Sequence, residues 1–194
     1  MASLPPVPRP IGIFQNWVAK GPETLVLKEK VMSLTGDSFD IKLINGQPIF
    51  KIKGRKMSVS GRKTVTDMQE NHLFDIVKEL MHIHTTFAAE NPAGEKILEV
   101  KSSFKLMGSK ATVIFKNFDG KEVRLTMRGG WFDTAADIVE ESSGAVVARI
   151  DRRLLNKREL LFGQQTYALS VAPGVDMAVM VAACVALDEK NNEG

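Results

Sequence analysis

The chain has 194 residues, of which 44% are hydrophobic and 25% are charged, proportions typical of a folded globular domain with a sizeable core. Its 26 basic and 23 acidic residues give a formal net charge of only +3, which does not support a general nucleic-acid-binding role. The single cysteine, Cys184, excludes a disulfide within the chain and is typical of a reducing compartment. We therefore expect a cytoplasmic protein, with peripheral membrane or nuclear locations as alternatives.

Residues 1–22 are rich in proline, end in Gly21-Pro22 and lack the continuous apolar segment of a secretory signal. Proline favours extended backbone, which predicts an extended or loosely docked arm whose removal leaves the melting temperature almost unchanged. The alternative is a segment that caps the rest of the fold, because large apolar side chains of the arm can dock on the barrel. These are Ile11, Ile13, Phe14 and Trp17.

From Thr24 onward the chain alternates between polar turns and strand-like runs. Five runs follow a turn and contain a closing basic residue: 49–53, 73–78, 97–101, 123–128 and 147–152. Similar runs precede the turns, for example residues 39–44 and 111–116. Strands that are linked in pairs by short turns predict an antiparallel meander rather than parallel strands joined by helices.

Alternation along these runs assigns their faces. In the first run Phe50 and Ile52 share one face, while Lys51 and Lys53 share the other. Most of the turns contain glycine, as in Asn45-Gly46, but the turn before the second run has Glu70-Asn71 and is therefore predicted less firmly. The apolar faces of so many one-sided strands need a cover.

Residues 175–187 supply that cover, because they form an apolar run with one charge, Asp176, and apolar side chains on every side. A helix of this length, about 20 Å, is too short to cross a bilayer and must be buried in the protein. We predict a closed antiparallel barrel around this helix, with no transmembrane segment. The predicted organisation is an arm (1–22), a barrel domain (23–190) and a polar tail (191–194).

Four segments resemble the LURP-one-related proteins. They are residues 31–39 (VMSLTGDSF), residues 50–53 (FKIK) after Asn45-Gly46, residues 129–131 (GGW) and residues 173–176 (PGVD) before the apolar helix. The resemblance covers roughly residues 25–190 and implies the tubby C-terminal fold, an antiparallel barrel of about twelve strands around a central hydrophobic helix. Tubby proteins bind phosphoinositides through basic residues and can enter the nucleus, and phospholipid scramblases share the fold and associate with membranes. The resemblance assigns no site residues here.

Charge is concentrated in two places. The first cluster holds six basic residues and no acidic residue within thirteen positions: Lys51, Lys53, Arg55, Lys56, Arg62 and Lys63. The second holds Arg149, Arg152, Arg153, Lys157 and Arg158, opposed only by Asp151. Basic residues on neighbouring strand faces bind lipid phosphates, each contributing about 1 kcal/mol at an anionic membrane. The first cluster is our predicted phosphoinositide site, and the alternative is a solvated exterior that keeps the barrel soluble.

Catalytic and metal-binding patterns are weak in this sequence. His82 and His84 share one strand face, but a third ligand would have to come from elsewhere, so we expect a polar strand face and no metal or cofactor. No combination of nucleophile, base and oxyanion donor is evident. We therefore expect a non-enzymatic binding or scaffold module whose partner is an anionic membrane lipid or a protein. The alternatives are a lipid-handling protein related to the scramblases and an enzyme.

Overall fold

The computed structural model describes residues 3–28, 38–54, 62–79, 86–103, 110–129, 135–151 and 166–192. These ranges contain twelve strands, one short 3-10 turn (Gln15–Trp17) and one α-helix, α1 (Met177–Asn192). The strands are β1 (Glu23–Lys28), β2 (Ser38–Leu43), β3 (Pro48–Gly54), β4 (Lys63–Asp67), β5 (His72–Glu79), β6 (Thr86–Glu90), β7 (Lys96–Ser103), β8 (Lys110–Lys116), β9 (Glu122–Arg128), β10 (Ala135–Glu140), β11 (Val146–Asp151) and β12 (Thr166–Val171).

Each strand pairs with the next strand in the chain, and β1 also pairs with β12, which closes the barrel. The closing ladder is antiparallel and runs from Glu23 opposite Val171 to Lys28 opposite Thr166. Closure leaves no unpaired sheet edge. The prediction of a closed antiparallel barrel of about twelve strands is confirmed.

The alternation of side chains determines which face of each strand lines the core. In β9, Val123, Leu125 and Met127 are buried, while Arg124 and Arg128 are exposed, as their spacing predicts. Inward side chains from all twelve strands join the helix in one apolar core. The barrel interior is therefore filled by protein and its outer face carries the polar residues.

The buried helix begins at Met177 rather than at residue 175, because Asp176 is its N-cap. One carboxylate oxygen of Asp176, Oδ1, accepts hydrogen bonds from the backbone N–H groups of Ala178 at 2.8 Å and Val179 at 3.4 Å. Residues 178–187 of the helix are each no more than 2% exposed. The predicted central position of the apolar helix is confirmed.

The arm before β1 is not loosely docked, and this expectation is wrong. Five backbone hydrogen bonds join it to residues 173–176, among them Ile11 N–H to Gly174 O at 3.0 Å and Asp176 N–H to Ile11 O at 2.9 Å. Ile11 is fully buried in the main core. Proline made the arm extended, as expected, but the apolar residues between the prolines dock it on the barrel.

Asp176 is shared between the helix and the arm. Its second oxygen, Oδ2, accepts the backbone N–H groups of Ile13 at 2.9 Å and Phe14 at 2.6 Å. Gly12 lies so close that an added Cβ would be 2.2 Å from the Cβ of Asp176. Only glycine allows the arm to approach the start of the helix this closely.

Aromatic and ionic contacts complete the docking of the arm. The Trp17 ring meets Phe50 edge to face, with centroids 4.6 Å apart, and Phe14 stacks on Phe74 at 5.8 Å. Arg9 forms an ion pair of 2.9 Å with the buried carboxylate of Glu140. The arm is thus the capping segment that its apolar residues had suggested as an alternative.

The shared carboxylate of Asp176 predicts a specific pH dependence of stability. Burial raises its pKa from 3.8 to about 6, against the opposing effect of the four backbone N–H donors. Between these pH values the folded protein holds a proton that the unfolded chain has released. The contribution of Asp176 to the free energy of unfolding is therefore present below the unfolded pKa and falls by about 3 kcal/mol as pH rises through about 6.

Urea denaturation of the wild type and of Asp176→Asn across this pH range measures the effect. All other titrating groups are common to both proteins, so the difference between their unfolding free energies isolates Asp176. We expect the advantage of the wild type over the variant to shrink as pH rises from about 4 to about 6. A difference that stays flat across this range contradicts the raised pKa.

Candidate functional site

Two of the predicted site residues, Lys51 and Lys53, project together from the outer face of β3. Lys51 is partly buried and Lys53 is exposed, while Ile52 between them is fully buried in the core. The next strand, β4, places Thr66 opposite Lys51 and Thr64 opposite Lys53. Both pairs share the outer face, so two ammonium groups lie beside two hydroxyl groups.

These four side chains and Glu70 line a surface groove of about 310 Å³. Four of the five lining residues come from the paired strands β3 and β4, and Glu70 comes from the turn that follows β4. The lining contains two lysines and one glutamate, which leaves one excess positive charge. The groove therefore offers both cationic and anionic groups, together with two threonine hydroxyls.

The two lysines of the groove have no ion-pair partner among the residues that the structure describes. Asp40 of β2 is directly opposite Lys51, yet no ion pair joins them. Elsewhere on the barrel, Lys96 pairs with Glu79 at 2.5 Å and Lys101 pairs with Glu99 at 2.9 Å. The charges of Lys51 and Lys53 remain available to a ligand.

The structure separates Arg62 and Lys63 from the two groove lysines. Arg62 donates to Asp75 and to Glu90, each at 2.7 Å. Lys63 is only 5% exposed and shares the buried face of β4 with Val65, so it does not belong to the outer surface. The sequence grouped them with Lys51 and Lys53 by proximity in the chain, whereas strand alternation divides them. Arg55 and Lys56 lie outside the described residues.

Asp75 stabilises the wall of the groove next to Arg62. Burial raises the pKa of this carboxyl, but hydrogen bonds from Thr64 and Arg62 outweigh burial and hold the pKa below its ordinary value. Thr64 donates its hydroxyl proton to Asp75 at 2.6 Å and also lines the groove. The position of Thr64 is therefore fixed by a charged hydrogen bond behind it.

Glu70 reaches the groove from the hairpin between β4 and β5. This turn has the same backbone hydrogen bond as the glycine turns: Glu70 N–H donates to Asp67 O, as Gly120 N–H donates to Asn117 O. Asp67 reinforces the turn by accepting the backbone N–H groups of Gln69 and Asn71, both at 2.9 Å. The less firmly predicted turn is therefore present, with glutamate at the glycine position.

Sequence reasoning missed three of the five groove residues, namely Thr64, Thr66 and Glu70. The threonines carry no charge and their strand was not among the runs identified. Glu70 did leave a signal, because it occupied the place where the other turns have glycine. A search for exceptions within the repeated turns would have found it.

The other candidate residues do not add to this site. Arg149, in the second basic cluster, is bound to Asp137 by two hydrogen bonds, at 2.6 and 3.0 Å. The remaining basic members of that cluster, and also His82 and His84, lie outside the described residues. In the part of the chain that is described, no group of three or more histidine, cysteine or carboxylate side chains is arranged to hold a metal ion.

Comparison with known proteins identifies the family. The model of the LURP-one-related family matches residues 23–188, most of the chain. The chain belongs to the LURP-one-related family. The match begins where β1 begins, so the arm lies before the matched range although it is built into the fold.

Two LURP-one-related relatives from Arabidopsis thaliana match over almost their whole length. Protein LURP-one-related 10 is 24% identical over 93% of this chain and 96% of its own, and Protein LURP1 is 22% identical over 94% and 90%. An X-ray structure of an Arabidopsis thaliana protein superposes with a TM-score of 0.63 at 17% identity, covering 91% of this chain and 95% of the other. This likeness shows the fold. Among the described helices, none is long and apolar enough to span a membrane.

Proposed function

We propose that this LURP-one-related barrel is a non-enzymatic binding module whose groove takes the phosphate groups of an anionic membrane headgroup. The observation that carries the proposal is that Lys51 and Lys53, which form no ion pair with any described residue, line a groove together with Thr66. A phosphate accepts hydrogen bonds from the lysines and from the hydroxyl of Thr66, whereas the hydroxyl proton of Thr64 is already donated to Asp75. A phosphoinositide is the headgroup that we expect to bind.

The spacing of these donors suits phosphate. Residues two apart on a strand are about 7 Å apart, so the flexible lysine side chains can converge on one phosphate or contact two neighbouring ones. Strand pairing positions both threonines, and because Thr64 donates its hydroxyl proton to Asp75, Thr66 is the hydroxyl donor that remains for phosphate. A site on paired strands is preorganised, which reduces the entropy lost on binding.

The packing of the barrel supports binding rather than catalysis. Helix residues 178–187 fill the interior together with inward side chains of every strand, in the space where other barrels bind small molecules. The open groove is lined by lysine, threonine and glutamate, without the histidine or cysteine that most often supplies a general base or nucleophile.

A membrane partner suits the exposed position of the groove. Anionic lipids concentrate on the cytoplasmic leaflet, where each nearby lysine contributes about 1 kcal/mol and the attraction falls off within a Debye length. This proposal places the protein at the cytoplasmic face of a membrane, bound peripherally.

The double variant Lys51→Glu/Lys53→Glu tests the proposal. It should reduce binding to phosphoinositide vesicles by at least about thirtyfold, because two favourable charges of about 1 kcal/mol each are lost. The fold should remain intact, since neither side chain forms an ion pair in the described structure. Vesicle sedimentation at low and high salt, with circular dichroism of the variant, measures both effects.

A matched control is Lys20→Glu/Lys116→Glu, which changes two exposed lysines away from the groove. Each double variant moves the formal net charge from +3 to −1, because each lysine-to-glutamate change subtracts two charges. We expect the control to retain most of the binding. Equal losses in both variants indicate a general charge effect, and undiminished binding by the folded groove variant contradicts the site.

A further inference from the structure

The groove contains one residue that a simple phosphate site does not need. Glu70 places a carboxylate beside Lys51 and Lys53, where it repels any polyanion. Glu70 is exposed and, in the described structure, forms no ion pair with either lysine. It therefore does not act to neutralise them.

Glu70 also adopts a costly backbone conformation. Its φ angle is 65°, in the left-handed region, and it is the one non-glycine residue with positive φ in the described part of the chain. The turn positions with the same backbone hydrogen bond are glycines with similar φ angles: Gly46 at 92°, Gly94 at 82° and Gly120 at 76°. Strained backbone of this kind is tolerated where the side chain has a role, so the exception points to the Glu70 carboxylate.

We propose that Glu70 is a specificity-determining residue, which selects ligands carrying a hydrogen-bond donor next to their phosphate and rejects simple polyanions. The donor is a hydroxyl, as in a polyol phosphate, or an ammonium, as in an amino alcohol phosphate. A carboxylate accepts from either group, while the lysines hold the phosphate. This inference rests on the proposed function of the groove and specifies its ligand class.

The effect of Glu70 on the stability of the fold is measured separately from its effect on binding. Glu70→Gly should raise the melting temperature by about 2–4 °C, because glycine adopts the left-handed conformation without strain. The reverse change at an equivalent turn, Gly120→Glu, should lower it by a similar amount, since nothing lies within 4 Å of a Cβ at Gly120. A Glu70→Gly variant that is no more stable than the wild type contradicts the argument from strain.

Selectivity is measured with three soluble probes in calorimetric titrations. Inositol trisphosphate carries hydroxyl donors, phosphoethanolamine carries an ammonium, and tripolyphosphate carries neither. Glu70→Gln keeps the side-chain length and removes the charge. We expect this variant to bind the preferred donor-bearing probe about tenfold more weakly, because a charged hydrogen bond becomes neutral. We expect it to bind tripolyphosphate more strongly. Of the two donor-bearing probes, the one whose binding is weakened more by Glu70→Gln shows whether the preferred donor is a hydroxyl or an ammonium.

Asp40→Asn is the matched control, because it removes a carboxylate across the ladder from Lys51 but outside the groove lining. This change should strengthen the binding of all three probes by a similar factor. If Glu70→Gln does the same, the carboxylate acts only through its general field and the inference is overturned. If binding depends on Lys51 and Lys53 while selectivity is unchanged in Glu70→Gln, the inference fails and the proposed function stands. If the wild type binds no probe and no phosphoinositide vesicle, both fail.

Discussion

Val181→Asp is expected to prevent the chain from folding into a soluble form. Val181 is fully buried in α1, and its neighbours on successive turns, Ala178, Cys184 and Val185, are also buried and apolar. A carboxylate there has no partner, and burying it costs several kcal/mol, whether it is ionised or forced to bind a proton. That cost is a large part of the roughly 5–15 kcal/mol that stabilises a typical domain.

Soluble yield, far-ultraviolet circular dichroism and thermal melting measure this outcome. Two milder changes in the same helix serve as comparisons. Val181→Ala should cost about 2 kcal/mol, and Cys184→Ser about 1–3 kcal/mol, because they remove methyl groups or add a buried hydroxyl without a charge. A Val181→Asp protein that is soluble and melts cooperatively contradicts the central position of the helix.

Deleting residues 1–22 is expected to lower the melting temperature by more than about 10 °C. The deletion removes the fully buried Ile11, five backbone hydrogen bonds to residues 173–176 and the aromatic cover over Phe50 and Phe74. It also leaves one oxygen of the buried Asp176 without its two donors from the arm. Each of these losses amounts to one or more kcal/mol, and about 1 kcal/mol corresponds to 2–4 °C in a chain of this size.

A pair of point variants separates docking of the arm from its mere presence. Gly12→Ala should cost about 1–3 kcal/mol, because the new methyl group collides with Asp176 and Phe118. Gly21→Ala, in the same arm, should be nearly neutral, since nothing lies within 4 Å of its Cβ position. Equal melting temperatures for the deletion variant, Gly12→Ala and the wild type would show that the arm does not dock in solution.

The barrel could be predicted from the sequence because two local patterns carried the information. Side chains alternate strictly in strands such as β9, and a run that is apolar on every side has only one stable location in a strand-rich chain. Both patterns can be recognised within about ten residues, without knowledge of distant contacts.

The arm could not be predicted in the same way, because what holds it is distant in the chain. Gly12 and Asp176 are 164 positions apart, and neither residue type indicates the other. The proline-rich composition indicates only that the segment favours an extended backbone, and not what that backbone contacts. Docking depends on a tertiary hydrogen-bond arrangement around one carboxylate.

Only part of the candidate site could be predicted, because the rest of it also depends on contacts between distant segments. Lys51 and Lys53 follow from alternation in β3, whereas Lys63 needs the bounds and face of β4, which the sequence reading did not resolve. Arg62 looked available because its partners, Asp75 and Glu90, come from β5 and β6. Charge that is counted along a chain does not show which charges the folded protein has already paired.

Closure of the barrel by β1 and β12 has a consequence for how the protein is made. Glu23 pairs with Val171, 148 residues later, and the arm bonds to residues 173–176, so one edge of β1 and the backbone of the arm have these partners only once the C-terminal part of the domain has been made. Contacts that span so much chain form slowly. Until translation reaches α1, the strands have nothing to cover their apolar faces, and the nascent chain is exposed to aggregation. We therefore expect the barrel to complete its folding only after α1 has been made, in a late step that joins β1 and the arm to β12 and residues 173–176.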